Sequence, residues 1–205
     1  MKLVRSLLLL LALNVAGSFI ERANPLPIGS KVPLPDYKLK NIQSKRVALN
    51  DIREKKGLLV IFMSNSCSYV MQNESRITEI AAYIKDKNIG IVLINSNDGN
   101  RLKTESFDAM KTYAQEQGYT FNYLMDEGHK LADAFGAIRT PECFLFDGGS
   151  RLVYHGAIDD APADPEAVKR QHLKIAIEEM LAEKNITVNT SRIIGCGIQR
   201  EAVSK

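Results

Sequence analysis

The sequence predicts an α/β domain with a mixed central sheet and helices on both faces, and three observations carry that prediction. Two apolar runs of strand length, Gly57–Met63 and Ile89–Asn95, are continuous rather than alternating, the pattern of strands buried on both faces. Segments between and after them repeat apolar residues every three or four positions, so helices alternate with strands and the pairing is parallel. Near the end, Asp147-Gly148-Gly149 joins two short apolar segments as a hairpin, which imposes an antiparallel edge.

In chain order, Lys2 and Arg5 precede an apolar run over residues 7–13 and the small residues Ala16, Gly17 and Ser18, the layout of a cleaved signal peptide over residues 1–18. The run is too short to span a bilayer, although Phe19 and Ile20 lengthen it enough to make a retained anchor the alternative. The remaining chain is long enough for one domain with a real core, expected over residues 19–183, with a tail over residues 184–205. Pro25, Pro27, Pro33 and Pro35 exclude helix and read as an extended arm. Short strands are expected over residues 37–39 and 46–49, with Asp51 capping a turn. Gly57–Met63 is the central strand, and a helix follows over residues 68–87, where Val70, Ile77, Ile80, Ala81 and Ile84 share a face. Beyond strand Ile89–Asn95, the pattern predicts a helix over residues 105–117, ended by Gly118, a strand over 121–124 and a short helix over 127–135, closed by Gly136. Thr140-Pro141 leads into a strand over residues 143–146, the hairpin returns over 152–155, and the last helix runs over 167–182.

Cys67 stands between the central strand and the following helix, where unpaired amides and the helix dipole favour a thiolate and an exposed nucleophile. Cys67-Ser68-Tyr69-Val70 has no second cysteine at the dithiol position, so an oxidised Cys67 must be resolved by a distant cysteine, a second protein or a small thiol. Of the three cysteines, Cys143 reads as a core-packing thiol two residues after Pro141, whereas Cys196 sits between Gly195 and Gly197 on the tail and is the candidate second sulfur. Connectivity stays open at this level. Thr140-Pro141 is the candidate cis peptide that exposes backbone for pairing with a substrate, and Arg139 either brings a guanidinium to the thiolate or is a solvated surface residue. His129, His155 and His172 show no ligand spacing, so no metal and no cofactor are expected. The formal charge of +3, with Lys2 and Arg5 in the leader, gives no nucleic-acid surface.

Ser66-Cys67-Ser68-Tyr69-Val70, Ile94-Asn95-Ser96-Asn97-Asp98, Leu124-Met125-Asp126-Glu127, Thr140-Pro141-Glu142, Phe144-Leu145-Phe146-Asp147 and Gly195-Cys196-Gly197-Ile198 together resemble the peroxiredoxin-like branch of the thioredoxin superfamily, beside the alkyl hydroperoxide reductase and thiol-specific antioxidant proteins. That resemblance implies a thioredoxin-like fold, the reactive cysteine at Cys67 and a tail cysteine at Cys196. Relatives commonly carry proline at the position of Ser68 and cysteine at that of Arg139, while the peroxide-binding threonine and proline are replaced by Ser64 and Val60.

The expectation is therefore an exported, periplasmic or extracellular thiol-based oxidoreductase, with Cys67, Cys196, Pro141, Thr140 and Arg139 as its site. Its partners would be a thiol or disulfide protein substrate and an external thiol reductant. A thiol peroxidase acting on peroxide is the alternative. A second alternative is a non-enzymatic peptide-binding module using the loops at Asn95-Asp98 and Asp159-Asp160.

Overall fold

The computed structural model describes residues 24–200, so the leader expected over residues 1–18 lies outside the described residues. The arm at Pro25 and Pro27 is pinned by backbone bonds from Leu26 N to Phe135 O and from Gly29 N to Leu152 O. Strand β1 (Leu39–Asn41) begins two residues later than expected, because Tyr37 N closes a turn onto Leu34 O. Strand β2 (Arg46–Val47) is cut short for a local reason: the Asp51 carboxylate accepts the Ala48 amide at 2.9 Å, so Leu49 starts helix α1 (Leu49–Ile52) instead of extending the strand.

β3 (Gly57–Met63), α2 (Ser68–Ile84), β4 (Ile89–Asn95), α3 (Phe107–Glu116) and β5 (Asn122–Met125) follow in alternation. The expected helix over residues 127–135 is interrupted by Gly128 and His129, both in the left-handed region. A 3-10 turn therefore precedes α4 (Lys130–Phe135). β6 (Arg139–Thr140) runs through the cis Thr140–Pro141 bond into β7 (Glu142–Asp147), and β8 (Leu152–Gly156) completes the hairpin. Helix α5 (His172–Leu181) starts five residues later than expected. The Asp160 carboxylate accepts the Lys169 and Arg170 amides at 2.9 and 3.0 Å and keeps them out of the helix, and a 3-10 turn over Pro165–Ala167 ends where the helix was expected to begin.

The seven-stranded sheet has the order β2-β1-β5-β4-β3-β7-β8, with β3, β4 and β5 parallel and both edges antiparallel. This is the thioredoxin-like layout. Because strand side chains alternate, β3 divides the core. Leu59, Ile61 and Met63 face Val70, Ile77, Met110, Leu173 and Ile177 of α2, α3 and α5. Leu58, Val60 and Phe62 face Leu131, Ala132 and Phe135 of α4. Phe62, Phe135 and Phe144 meet edge to face with centroids 5.2 to 5.7 Å apart, and each such buried side chain contributes roughly 1.5–3 kcal/mol. Residues 184–200 carry little regular structure apart from β9 (Cys196–Gly197), which pairs antiparallel with β6 in a two-stranded ladder separate from the seven-stranded sheet.

Candidate active site at the end of the central strand

Cys67 is the N-cap residue of α2, where β3 ends and the chain turns into the helix. It is buried, at 1% exposure, which corrects the expected exposed turn. The cover is the tail: Cys67 and Cys196 form a disulfide with Cα atoms 5.8 Å apart. The Thr140 carbonyl oxygen lies 3.1 Å from the Cys67 sulfur. Thr140 pairs with Cys196 and Arg139 with Gly197, and Ile198 N donates to Ile138 O at 3.0 Å. Cys67, Thr140, Pro141 and Cys196 are therefore one cluster.

Of the two readings of Arg139, the side chain is exposed rather than bonded to the Cys67 sulfur, and it meets the cluster through the tail. Its guanidinium donates to the Gly195 carbonyl at 2.9 Å and holds the tail. Cys143 is a free, fully buried thiol in the core, and burial pushes its thiol well up, so it stays protonated.

Two buried carboxylates that the sequence reading did not single out hold this cluster in place. Glu105 was placed at the start of a helix. Instead Ser106 is the cap, its hydroxyl accepting the Ala109 amide at 3.2 Å, and Glu105 lies just outside the helix at 0% exposure. Its Oε1 accepts the Ser64 hydroxyl at 2.6 Å, the Ser66 hydroxyl at 2.5 Å and the Ser66 amide at 3.1 Å. Its Oε2 accepts the Asn65 amide at 3.1 Å and Asn95 Nδ2 at 2.5 Å. The whole turn before Cys67 is thus tied to one carboxylate. Glu142, at 1% exposure, does the same on the other side: Oε2 accepts the Ile138 and Arg139 amides, both at 2.9 Å, and Oε1 lies 2.8 Å from His155 Nε2. A serine before a helical run, making the residue ahead of it non-helical, was the available signal for Glu105.

The tail is further clamped by Asn97 Oδ1, which accepts the Gln199 amide at 2.9 Å, while Asn97 Nδ2 donates to Met63 O at 3.2 Å. Arg101 donates to Asp98 Oδ1 and Asn95 O and fixes that loop. Asp159 is buried and ion-paired with Arg76. The two loops considered for peptide holding are therefore largely committed to internal contacts. Among the described residues no group of three or more metal-ligating side chains occurs. None of the described helices is long and apolar enough to cross a membrane.

The chain is similar to a solved hypothetical protein from Sinorhizobium meliloti 1021, at 31% identity and a TM-score of 0.79 over 87% of this chain and 97% of the other. An uncharacterized conserved protein from Geobacillus kaustophilus gives 29% identity and a TM-score of 0.81, over 88% and 96% of the two chains. Among curated proteins, the thiol-disulfide oxidoreductase ResA of Geobacillus thermodenitrificans (strain NG80-2) is 25% identical over 154 residues, 74% of this chain and 83% of that protein. A model of the AhpC/TSA family matches residues 28–155, a span that contains β3, Cys67 and the Thr140–Pro141 turn and leaves Cys196 to the tail beyond it; the chain belongs to the AhpC/TSA family.

Proposed function

We propose that this protein is an exported thiol-disulfide oxidoreductase in which Cys67 and Cys196 cycle between dithiol and disulfide. The observation that carries this reading is the disulfide between them across the Thr140 backbone. In the dithiol form the Cys67 thiolate attacks a sulfur of a substrate disulfide. A Cys67–substrate bond forms, and the other substrate sulfur leaves with the electron pair and takes up a proton. Cys196, as thiolate, then attacks the Cys67 sulfur, and the second substrate sulfur leaves as a thiolate. The substrate gains two electrons, and the Cys67–Cys196 pair loses two, to be restored by an external thiol reductant. The α2 N-terminus supports negative charge at Cys67, and Arg139 acts on the tail as a positioning residue. Similarity to ResA, a thiol-disulfide oxidoreductase, supports the same class of reaction.

Disulfide chemistry is favoured over peroxide reduction by the state of Ser64. Its hydroxyl proton is committed to Glu105, so Ser64 does not donate to a peroxide oxygen. The test is reduction of a disulfide-bonded protein by the dithiol form, followed by non-reducing mass spectrometry. Cys67→Ser abolishes the reaction, and Cys196→Ser stalls it as a Cys67–substrate mixed disulfide. Cys67-dependent loss of hydrogen peroxide that outpaces disulfide reduction would reverse the assignment.

A further inference from the structure

The tail that covers Cys67 behaves as a strand added to an exposed edge, and its side-chain environment is selective. Residues 196–197 pair with Arg139 and Thr140, and Ile198 continues the ladder to Ile138. A Cβ on Gly195 would overlap the Thr140 carbonyl oxygen, whereas a Cβ on Gly197 would meet nothing within 4 Å. Ile198 is 8% exposed and packs into the apolar layer that holds Phe62 and Phe135. Read along the strand, this edge accepts only glycine before the cysteine, is indifferent to the residue after it, and has an apolar seat two residues on.

Resting on the thiol-disulfide reading above, we propose that residues 195–198 are a built-in copy of the substrate, and that the site acts on extended polypeptides carrying glycine, cysteine, any residue and an aliphatic residue in that order. Tail and substrate use the same backbone edge, so they bind in turn. Reduction of Cys67–Cys196 frees the edge, the substrate strand docks and forms its disulfide with Cys67, and the returning Cys196 strand displaces the product as it closes its own bond. Main-chain pairing supplies the docking and alternate side chains supply the choice, as in other strand-addition complexes.

The test uses the full-length Cys196→Ser protein, reduced, and short peptides whose single cysteine is a mixed disulfide with thionitrobenzoate. The Cys67 thiolate attacks the peptide sulfur, the Cys67–peptide bond forms, and thionitrobenzoate leaves with the electron pair and is read by its colour; mass spectrometry identifies the Cys67–peptide adduct. The reference peptide is Ile-Gly-Cys-Gly-Ile. Alanine before the cysteine slows the reaction by about tenfold or more, alanine after it leaves the rate unchanged, and serine in place of the final isoleucine slows it by a similar factor. The resident tail competes equally with every peptide, so the ratios stand. Equal rates for all four peptides would overturn the template while leaving Cys67 as a disulfide-reactive thiol. A Cys67 that fails to react even with the symmetrical thionitrobenzoate disulfide would remove both the template and the function beneath it.

Discussion

The carbonyl oxygen of Thr140 lies 3.1 Å from the sulfur of Cys67, and the same residue pairs through its backbone with Cys196. Thr140 therefore meets one cysteine through its carbonyl and the other through its strand pairing, and the disulfide closes with the tail backbone laid along β6. Gly195 makes that possible.

Gly195→Ala places a methyl group against the Thr140 carbonyl. Overpacking of this kind costs roughly 1–3 kcal/mol, and 1.4 kcal/mol corresponds to about 30 mV for a two-electron couple. The variant's Cys67–Cys196 pair should reduce more readily, by tens of millivolts, in a glutathione titration. Gly197→Ala, which meets open space, should leave the midpoint in place.

Glu105 should behave as a positioning residue for the turn before Cys67. In Glu105→Gln the new amide nitrogen faces either the Ser66 backbone N–H or the Asn65 backbone N–H, and neither can turn round to accept. With the nitrogen toward Asn65 a buried donor is orphaned, at a cost of about 1–3 kcal/mol, whereas with it toward Ser66 that amide keeps the Ser64 hydroxyl at 3.3 Å, so the loss falls at the low end of that range. Urea unfolding should show that loss. Alkylation of reduced Cys67 should also change rate, a readout that a remote core defect would not move.

Much of this architecture is legible in the sequence. Gly57–Met63 and Ile89–Asn95 declared themselves as doubly buried strands because no polar residue interrupts them, and Cys67 followed from its place after the first. What escaped was set by contacts distant in sequence. Glu105 lies 39 to 41 residues from the serines it anchors, so nothing near it in the chain marks its carboxylate as buried. Glu142 gave no sign that it would gather the amides of residues 138 and 139. The glycine-flanked place of Cys196 on the tail favours it over Cys143 as the second sulfur, but the sequence leaves the bond itself open, since it depends on β7 carrying Cys143 into the core while the tail crosses β6. The late start of α5 has the same origin, with Asp160 capturing amides that helical periodicity would have used.

Glu142 should tolerate amidation but not truncation. In Glu142→Gln the carbonyl can keep accepting the Ile138 and Arg139 amides while the NH2 donates to His155 Nε2, provided the imidazole carries its proton on Nδ1. Stability should fall by less than about 1 kcal/mol. Glu142→Ala leaves both amides and the imidazole unpaired and should cost roughly 2–4 kcal/mol. It should also lower the fraction of Cys67–Cys196 disulfide at a fixed glutathione ratio, because β6 is the strand on which the tail docks.

Glu74 offers a test of pH dependence away from the sulfurs. It is buried on α2 with the Tyr113 and Tyr119 hydroxyls donating to it at 2.6 and 2.7 Å. Burial raises its carboxyl above the ordinary 4.5, and the two tyrosine bonds only partly pull it back. Both tyrosines are pushed up, by burial first, and remain protonated donors. A carboxyl whose folded value is raised binds its proton more tightly in the native state. Its stabilising contribution is complete below about 4.5 and is lost as pH rises through the folded value. Asp126, raised chiefly by burial, acts in the same direction, whereas the exposed Asp160 and Glu179, lowered by backbone hydrogen bonds, act in the opposite one. The wild-type curve mixes these signs, so the variant isolates the group. Glu74→Gln keeps an acceptor for one tyrosine, donates to the other and removes the ionisation. Relative to the wild type it should be more favourable at pH 7 than at pH 4 in urea midpoints. An identical difference at both pH values would show that Glu74 titrates alike in the folded and unfolded chains.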